Sequence, residues 1–378
     1  MSDSENPDVP EDKNRIWRDS DDENEVKIDE PQWLKKRRTE LKEELGEREE
    51  DQDKRLKFSG ALTRIKPTKF KSGVRFKITH QQASKEPIRI NGGVREIKFD
   101  QDCKYMSILG YKEKGIKLYH INASSLSNKS KSENRLKLNR KKELNFSNFV
   151  TTGSCFKNDN ILITGRNKKL LKYNILEEKG TDIFSVTVPE NEKAFKGICA
   201  SDRLNLYAIS CVNTGTLLVC DFNDNVLTHN FKMGSECIIY EFDLVAGKCR
   251  QKFKDAHSHD ITSFSVWDAE ENGFYATGTK SGYVQLYNLN TTRAFKEFDN
   301  ITTEITSVCA TEEFTLFSSI HKKNGLRVVY NRGYNVVANW PNNISNLGRI
   351  STAAFCRQSD TIVTGTRSGR VQFHKILK

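Results

Sequence analysis

The chain has 378 residues, a formal net charge of +11 and a mean hydropathy of −0.66. No apolar run approaches the roughly 20 residues that a membrane-spanning helix needs, so we expect no integral membrane segment. Residues 1–12 are acidic and polar, and we expect neither a secretory signal nor disulfides among the nine cysteines.

The N-terminal segment is acidic. Residues 1–53 contain 20 acidic and 10 basic side chains, whereas the rest of the chain is strongly basic. So polar a segment cannot bury enough apolar surface to offset the entropy of ordering, and we expect residues 1–31 to be a disordered acidic tail.

Ser20 is followed by Asp21, Asp22 and Glu23. This pattern makes Ser20 a candidate phosphorylation site for an acidic-directed kinase, with an unmodified, solvated serine as the alternative.

Residues 32–71 are predicted to form a basic arm that is partly helical and partly extended. Its helical part has few apolar residues: Trp33, Leu34, Leu41 and Leu45. This stripe is too thin for the helix to fold alone, so it either docks on a partner or stays exposed. The arm also contains a consecutive basic cluster that is a candidate nuclear localisation signal: Lys35, Lys36, Arg37 and Arg38.

The segment 54–77 carries nine basic residues and no acidic one. Positive charge of this density attracts a polyanion, because each neutralised phosphate releases counterions. Three interleaved aromatic residues, Phe58, Phe70 and Phe76, either stack on unpaired bases or anchor the arm to the folded domain. We expect RNA contact here, with a protein-only contact as the alternative. The candidate RNA-binding residues are Lys54, Arg55, Lys57, Arg64, Lys66, Lys69 and Lys71.

From residue 72 onward one pattern recurs six times: an aliphatic run, a small residue, a turn, and a second apolar run that usually ends in an aromatic residue. The copies are 106–121, 160–175, 206–222, 274–289, 316–330 and 361–376. Three of the five spacings between copies, 47, 43 and 44 residues, are close to the roughly 40 to 45 residues of a WD-repeat blade, and the other two, 54 and 67 residues, are longer. We therefore predict an all-β fold, a WD-repeat β-propeller of about seven blades over residues 72–378. A seven-stranded sandwich is the competing interpretation and fits the number of turns less well.

The fourth blade is incomplete in the sequence. Phe242 and Asp243 match the end of a third strand, but residues 233–242 leave no room for two inner strands. Either the blade is truncated near 233–253 or the translated sequence lacks a segment, and we favour a missing segment because a ring needs neighbouring sheets to cover each face. The last blade needs a strand from elsewhere. The alternating run Val74–Thr79 is predicted to supply its outermost strand.

An insertion lies between the first two copies. The excess residues fall in 123–142, which we expect to form a loop with seven basic residues and one acidic residue. A solvated loop and a contact with RNA or an acidic partner are equally supported. The candidate RNA-binding residues in this loop are Lys137, Arg140, Lys141 and Lys142.

No residue pattern indicates catalysis, a cofactor or a metal. His257, His259 and Cys249 lack the ligand spacing of structural zinc sites. The glycines at 278–282 and 365–369 fit hairpin turns rather than a phosphate-binding loop. Cysteines in or beside apolar strands are predicted to be buried thiols: Cys155, Cys199, Cys211, Cys220, Cys309 and Cys356. We therefore expect no enzymatic activity, no cofactor, no metal and no small-molecule substrate, which leaves a binding surface.

Several short motifs are shared with a known family. They are Ile16–Glu23 with its Trp-x-Asp-x-Asp-Asp element, Lys54–Phe58 with its Arg-Leu-basic element, and the blade segments Phe242–Cys249, Ser281–Asn288 and Gly365–Phe373. With these motifs the chain resembles the U-three small nucleolar RNA-associated protein eighteen family.

This resemblance implies a non-catalytic scaffold subunit of the UtpB subcomplex of the small-subunit processome. Such a subunit would act in pre-rRNA processing and small ribosomal subunit biogenesis in the nucleus and nucleolus. The implied partners are other UtpB WD-repeat subunits, the pre-rRNA and the U-three snoRNA, with no membrane. The alternative is a generic WD-repeat adaptor, such as a ubiquitin-ligase substrate receptor, that makes no RNA contact.

Overall fold

The structure is a computed structural model of the chain. It describes residues 75–377 except for stretches at 85, 112–113, 123–136, 146–149, 184–185, 187, 202, 234–237, 256–259, 269–272, 290 and 343–344. The predicted acidic tail and helical arm, residues 1–71, lie outside the described residues. Every helix or strand assigned in the described part is a β-strand, and no helix there could cross a membrane.

Six four-stranded antiparallel sheets form the blades of a β-propeller. A first strand, β1 (Lys77–Gln81), precedes them. Blade 1 contains β2 (Val94–Phe99), β3 (Tyr105–Gly110), β4 (Gly115–Asn122) and β5 (Lys137–Asn145). Blade 2 contains β6 (Thr151–Lys157), β7 (Asn160–Gly165), β8 (Leu170–Asn174) and β9 (Lys179–Asp182). Blade 3 contains β10 (Phe195–Ala200), β11 (Leu206–Cys211), β12 (Thr216–Asp221) and β13 (Leu227–Lys232).

The chain then forms a separate hairpin, β14 (Ile238–Asp243) and β15 (Lys248–Lys254), before the remaining blades. Blade 4 contains β16 (Ile261–Trp267), β17 (Phe274–Thr279), β18 (Val284–Asn288) and β19 (Lys296–Phe298). Blade 5 contains β20 (Ser307–Ala310), β21 (Phe314–Ser318), β22 (Leu326–Tyr330) and β23 (Asn335–Val336). Blade 6 combines β24 (Ile350–Cys356), β25 (Thr361–Thr366) and β26 (Val371–Leu377) with β1.

The six sequence copies are the second and third strands of the six blades, as predicted. All six residues of β3, β17 and β25 are buried. Strands covered on both faces need apolar or small side chains at every position rather than at alternate ones. This requirement explains why the copies appear in the sequence as uninterrupted apolar runs bounded by turn residues.

Blade 6 is completed by the N-terminal strand, which confirms the predicted closure with bounds shifted by three residues at its start. β1 pairs antiparallel with β26, placing Lys77 opposite Leu377 and Gln81 opposite Phe373. Just before β1, the Phe76 ring contacts Phe314 and Tyr330 at 5.6 and 5.3 Å between ring centroids. Asn339 bonds the Phe76 backbone, donating from Nδ2 to its carbonyl oxygen at 2.7 Å and accepting from its N–H at 3.3 Å. The strand therefore removes an open edge from the sheet.

Five buried apolar clusters join neighbouring blades. They lie between blades 6 and 1, 5 and 6, 1 and 2, 4 and 5, and 2 and 3. Among the described residues no such cluster joins blade 3 to blade 4. Hydrophobic burial therefore holds five of the six blade junctions together.

The β14–β15 hairpin is associated with both blades that flank the sixth junction. Phe242 of the hairpin stacks on Phe231 of β13, with 4.2 Å between ring centroids. Phe253 contacts Tyr287 of β18 at 5.8 Å. On the innermost strand of blade 4, Phe264 and Val266 remain 51% and 48% exposed. The described part of the chain therefore contains six four-stranded blades rather than the predicted seven, with this two-stranded hairpin at the position predicted for the truncated blade.

The insertion after blade 1 differs from its predicted form. We expected residues 123–142 to be a loop, but residues 137–145 form β5, the outermost strand of blade 1. Leu138 lies opposite Ile121 and Leu144 opposite Ile116, and both leucines are buried. A bulge in β5 between Lys142 and Arg140 places the two leucines on opposite faces of the blade, Leu138 in the core toward blade 6 and Leu144 in the core toward blade 2. Because the two leucines lie among basic residues, the sequence pattern indicated a loop rather than a strand.

The glycine-containing hairpin turns are confirmed. Blades 4 and 6 share the pattern Thr-Gly-Thr-x-Ser-Gly-x-Val between their second and third strands. Gly282 and Gly369 occupy equivalent positions with φ of +93° and +83°. A Cβ at Gly369 would collide with the Ile90 carbonyl oxygen, so both the left-handed backbone and the close approach require glycine.

Candidate nucleic-acid interface

The topology sorts the connecting segments onto two opposite faces of the propeller. In an antiparallel four-stranded blade, the turn between the second and third strands lies at the same end as the connection to the next blade. The turn between the first and second strands and the turn between the third and fourth lie at the other end.

The first face is basic. Its described connections hold twelve Lys or Arg residues and seven Asp or Glu residues, of which Glu192 and Asp255 are buried. The basic residues are Arg89, Lys114, Arg166, Lys168, Lys169, Lys193, Lys280, Lys322, Lys323, Arg349, Arg367 and Arg370. We call this side the basic face. Sequence reasoning missed it because its residues come from all parts of the chain and converge only after the blades form.

The opposite face is acidic. Its described connections hold five Lys or Arg residues and ten Asp or Glu residues. The acidic residues are Asp100, Asp102, Asp159, Glu177, Glu178, Asp224, Asp268, Glu312, Glu313 and Asp360. The described connections are therefore electrostatically polarised, and such a field favours a polyanion on the basic face and repels it from the acidic face.

The predicted RNA-binding residues are split between undescribed and described parts. Lys54, Arg55, Lys57, Arg64, Lys66, Lys69 and Lys71 lie outside the described residues, as do Ser20 and the basic cluster Lys35, Lys36, Arg37 and Arg38. Lys137, Arg140, Lys141 and Lys142 all lie on β5, at the outer edge of blade 1. The structure therefore brings the second group together on one strand rather than on a loop.

Lys142 is held by neighbours on blade 2. Its Nζ lies 3.3 Å from Glu178 Oε2 and 5.5 Å from the centre of the Tyr173 ring. A hydrogen bond with Tyr173 raises the pKa of Lys142, and Glu178 raises it further. Lys142 thus supports the contact between blades 1 and 2 as well as contributing positive charge to the outer edge.

Side chains on the innermost strands of several blades interact with one another. Lys98 on β2 lies 3.5 Å from Glu96, and this carboxylate raises the pKa of Lys98. The thiols of Cys155, Cys199 and Cys309, from three other blades, interact electrostatically with Lys98. Burial raises the pKa of Cys309, so it remains a protonated thiol.

The cysteines largely match expectation. The eight described cysteines are free thiols. Cys155, Cys211, Cys220 and Cys356 are buried as predicted, and Cys309 is partly buried. Cys199 is exposed, so the prediction of a buried thiol was wrong there. Its strand is the innermost of blade 3, at the junction with no buried apolar cluster, so no neighbouring core covers it.

A pocket of about 250 Å³ lies on the acidic face between blades 1 and 2. Its polar groups are already engaged in structural contacts. Lys157 Nζ donates to the carbonyl oxygens of Ser201 and Leu204, the latter at 2.8 Å. Asp100 Oδ1 accepts from the Tyr105 N–H at 2.9 Å. Within the described residues no group of His, Cys, Asp or Glu could hold a metal ion.

Two curated proteins are similar to parts of this chain. The probable U3 small nucleolar RNA-associated protein 18 of Schizosaccharomyces pombe is 34% identical over 113 residues, which cover 28% of this chain and 22% of that protein. The U3 small nucleolar RNA-associated protein 18 of Saccharomyces cerevisiae is 25% identical over 160 residues, which cover 36% of this chain and 27% of that protein. No family model matches.

Both relatives carry the name of the family that the short motifs indicated. The matched stretch spans about a quarter of each curated relative. The comparisons therefore confirm the resemblance at modest identity and over part of the chain.

Proposed function

We propose that this protein acts in ribosomal RNA processing as an RNA-associated, non-catalytic scaffold of the small-subunit processome. Its relatives are named as U3 small nucleolar RNA-associated proteins. The observation that carries the proposal in this chain is the segregation of charge between the two faces of the propeller. A rigid disc with one basic and one acidic face can bind a nucleic acid on one side and proteins on the other.

The proposal assigns RNA contact to three places. The first is the arm containing Lys54, Arg55 and Lys57, where positive charge is uncompensated. The second is β5 with Lys137, Arg140, Lys141 and Lys142. The third is the basic face. Together these surfaces supply the phosphate contacts that determine the affinity of a sequence-independent RNA-binding protein.

The proposal also includes a seventh blade reduced to its outer half. Phe242 and Asp243 end β14 in the manner of a third strand, and β15 would be the fourth. The exposed Phe264 and Val266 on β16 are the side chains that two missing inner strands would cover. The absence of two inner strands would explain why no buried apolar cluster joins blade 3 to blade 4 in the described part of the chain.

Further elements of the proposal concern assembly and location. The protein would associate with other WD-repeat subunits of the UtpB subcomplex, the pre-rRNA and U3 snoRNA in the nucleolus. Lys35, Lys36, Arg37 and Arg38 would direct nuclear import, and phosphorylation of Ser20 would add negative charge to the tail.

Affinity purification of the tagged protein from its own cells tests the proposal. RNA sequencing and proteomics of the eluate should recover U3 snoRNA, pre-rRNA and other propeller subunits above an untagged control. Recovery of cullin-type ligase components without RNA would instead assign the protein to the WD-repeat adaptors. A nucleolar signal from the tagged protein is the accompanying microscopy control.

A further inference from the structure

Four arginines meet on the basic face where the last blade joins the first. Arg89 lies on the connection between β1 and β2, Arg349 on the connection between blades 5 and 6, and Arg367 and Arg370 on the turn between β25 and β26. Arg89 and Arg370 face each other in an antiparallel bridge. The Arg367 N–H donates to the Arg349 carbonyl oxygen at 2.9 Å. We call these four residues the arginine cluster.

The backbone that carries the cluster is fixed by further contacts. The Ile90 N–H donates to the Gly369 carbonyl oxygen at 2.8 Å, and the Val371 N–H donates to that of Ile88 at 3.2 Å. Lys117 Nζ donates to the Arg89 carbonyl oxygen at 3.1 Å, which adds a fifth positive charge beside the cluster. The cationic groups are therefore mounted on rigid strand ends rather than on a loose loop.

An exposed aromatic ring lies next to the arginine cluster. The Tyr111 N–H donates to the Gly93 carbonyl oxygen at 3.0 Å. Gly93 in turn approaches Arg367 so closely that a Cβ there would lie 2.5 Å from the Arg367 carbonyl oxygen. The Tyr111 side chain is 43% exposed. Arginine and an open aromatic ring are the two side chains from which single-stranded nucleic acid sites are built.

The positive charges of the cluster are not neutralised by ion pairs with other described residues. Among the described residues none of the four guanidinium groups forms an ion pair, although three of the four side chains are exposed and Arg370 is half-buried. The equivalent turn of blade 4 differs, because Lys280 there pairs with Asp260 at 3.1 Å. Like charges placed opposite each other, as at Arg89 and Arg370, destabilise a sheet unless an anion lies between them.

From this geometry we infer that the arginine cluster and Tyr111 form a binding site for single-stranded RNA. The guanidinium groups would bind backbone phosphates, and the Tyr111 ring would stack on one base. A protein partner would have to present several carboxylates at the spacing of the cluster, whereas a nucleic-acid strand carries a phosphate at every nucleotide. The choice of RNA as the nucleic acid rests on the proposed function. The binding of phosphate groups is inferred from the arginine cluster itself.

Binding of a fluorescein-labelled oligouridylate of about 15 nucleotides to the full chain tests the site. The test variant carries Arg89→Glu and Arg367→Glu, both at exposed positions. The matched control carries Arg293→Glu and Arg332→Glu, which are exposed arginines on turns of the acidic face. Both variants make the same change in net charge, so a difference between them reports position rather than total charge. Thermal melts establish that both variants remain folded.

We expect the test variant to bind at least tenfold more weakly and the control variant to change by less than twofold. The slope of log affinity against log salt should fall by about 1.4 in the test variant, since each single-strand phosphate contact contributes about 0.7. Equal loss in both variants, or no loss in the test variant, would overturn the site. The site would also be overturned if the test variant lost binding to an acidic peptide but retained RNA binding, because the arginine cluster would then bind a protein.

Tyr111 offers a second, charge-neutral test. Tyr111→Ala should weaken oligouridylate binding by fivefold or more at unchanged salt slope, whereas Tyr111→Phe should retain it, because stacking needs the ring and not the hydroxyl. Equal affinity of the alanine and phenylalanine variants would remove the stacking role. If the unmodified protein binds no RNA in vitro, this site and the proposed RNA contacts both fail. If RNA binding persists in the Arg89/Arg367 variant, only this site fails.

Discussion

Replacement of Glu192 by glutamine should destabilise the propeller strongly. Glu192 lies on the connection between blades 2 and 3 and is 1% exposed. Its carboxylate accepts hydrogen bonds from the backbone N–H groups of Lys193, Ala194, Val212, Asn213 and Thr214 and from the Thr214 hydroxyl, at 3.0 to 3.1 Å. One side chain therefore joins the interblade connection to the turn between β11 and β12.

The magnitude follows from the pKa of this carboxyl. Burial alone would raise it, but the hydrogen bonds from Thr214, Ala194 and Asn213 outweigh burial and lower the pKa from 4.5 to about 2. A shift of about 2.5 pH units corresponds to about 3 kcal/mol of stability. Because the folded-state pKa is the lower one, this stability is fully present above pH 4.5 and is lost as the pH falls toward 2. Glu192→Gln also turns an amide N–H₂ toward backbone donors, so about 3 kcal/mol is the expected minimum cost at pH 7.

Urea unfolding at several pH values measures the effect, with Glu190→Gln as the control because Glu190 is exposed on the same connection. At pH 7 the Glu192→Gln variant should lose about 3 kcal/mol and the control less than 0.5 kcal/mol. Below pH 4.5 the gap between wild type and Glu192→Gln should narrow by about 1.4 kcal/mol per pH unit. A gap that stays constant from pH 7 to pH 3 would refute the reasoning, since it would show that the carboxylate charge is not what the hydrogen bonds stabilise.

Three further predictions concern blade 6 and its closure. Burial, and to a smaller extent the nearby His80, lower the pKa of His374 to about 4. The free energy of unfolding should therefore be highest above pH 6.5 and should decrease by about 1.4 kcal/mol for each pH unit as the pH falls from 6.5 to 4. In urea titrations, His374→Gln should remove this dependence on pH. Phe76→Ala should cost about 2 kcal/mol and Phe76→Leu clearly less, because this half-buried ring attaches the N-terminal strand to blade 5; equal melting of the two variants would contradict that role. Gly369→Ala should cost at least about 2 kcal/mol in the same assay, whereas Gly333→Ala, at a turn without positive φ, should cost less.

The blades could be predicted from sequence because each one repeats the same local requirement. A second and third strand buried on both faces must be apolar throughout, and the turn between them must hold glycine or a polar residue. The pattern in 361–376 and in 274–289 reproduces this requirement almost residue for residue. The alternating run Val74–Thr79 could also be assigned to a strand, because the last blade lacked its fourth strand.

Other features could not be predicted because they depend on distant residues. β5 was taken for a loop because Leu138 and Leu144 are its only apolar residues, one on each face of the blade, and its basic residues outnumber them. Cys199 is exposed because no buried apolar cluster covers blade 3 on the side of blade 4 in the described part of the chain. The apolar residues next to Cys199 in the sequence give no sign of this. The arginine cluster joins residues from position 89 to position 370, and no local pattern in either segment indicates the other.

Ultraviolet crosslinking in cells tests the central claim most directly. The tagged protein is crosslinked and purified under denaturing conditions, the attached RNA is sequenced, and the crosslinked peptides are identified by mass spectrometry. The account predicts U3 snoRNA and pre-rRNA reads, with crosslinks on peptides that contain Tyr111 or the turn from Arg367 to Arg370. RNA recovery no higher than in an uncrosslinked control, or crosslinks confined to peptides of the acidic face, would contradict it.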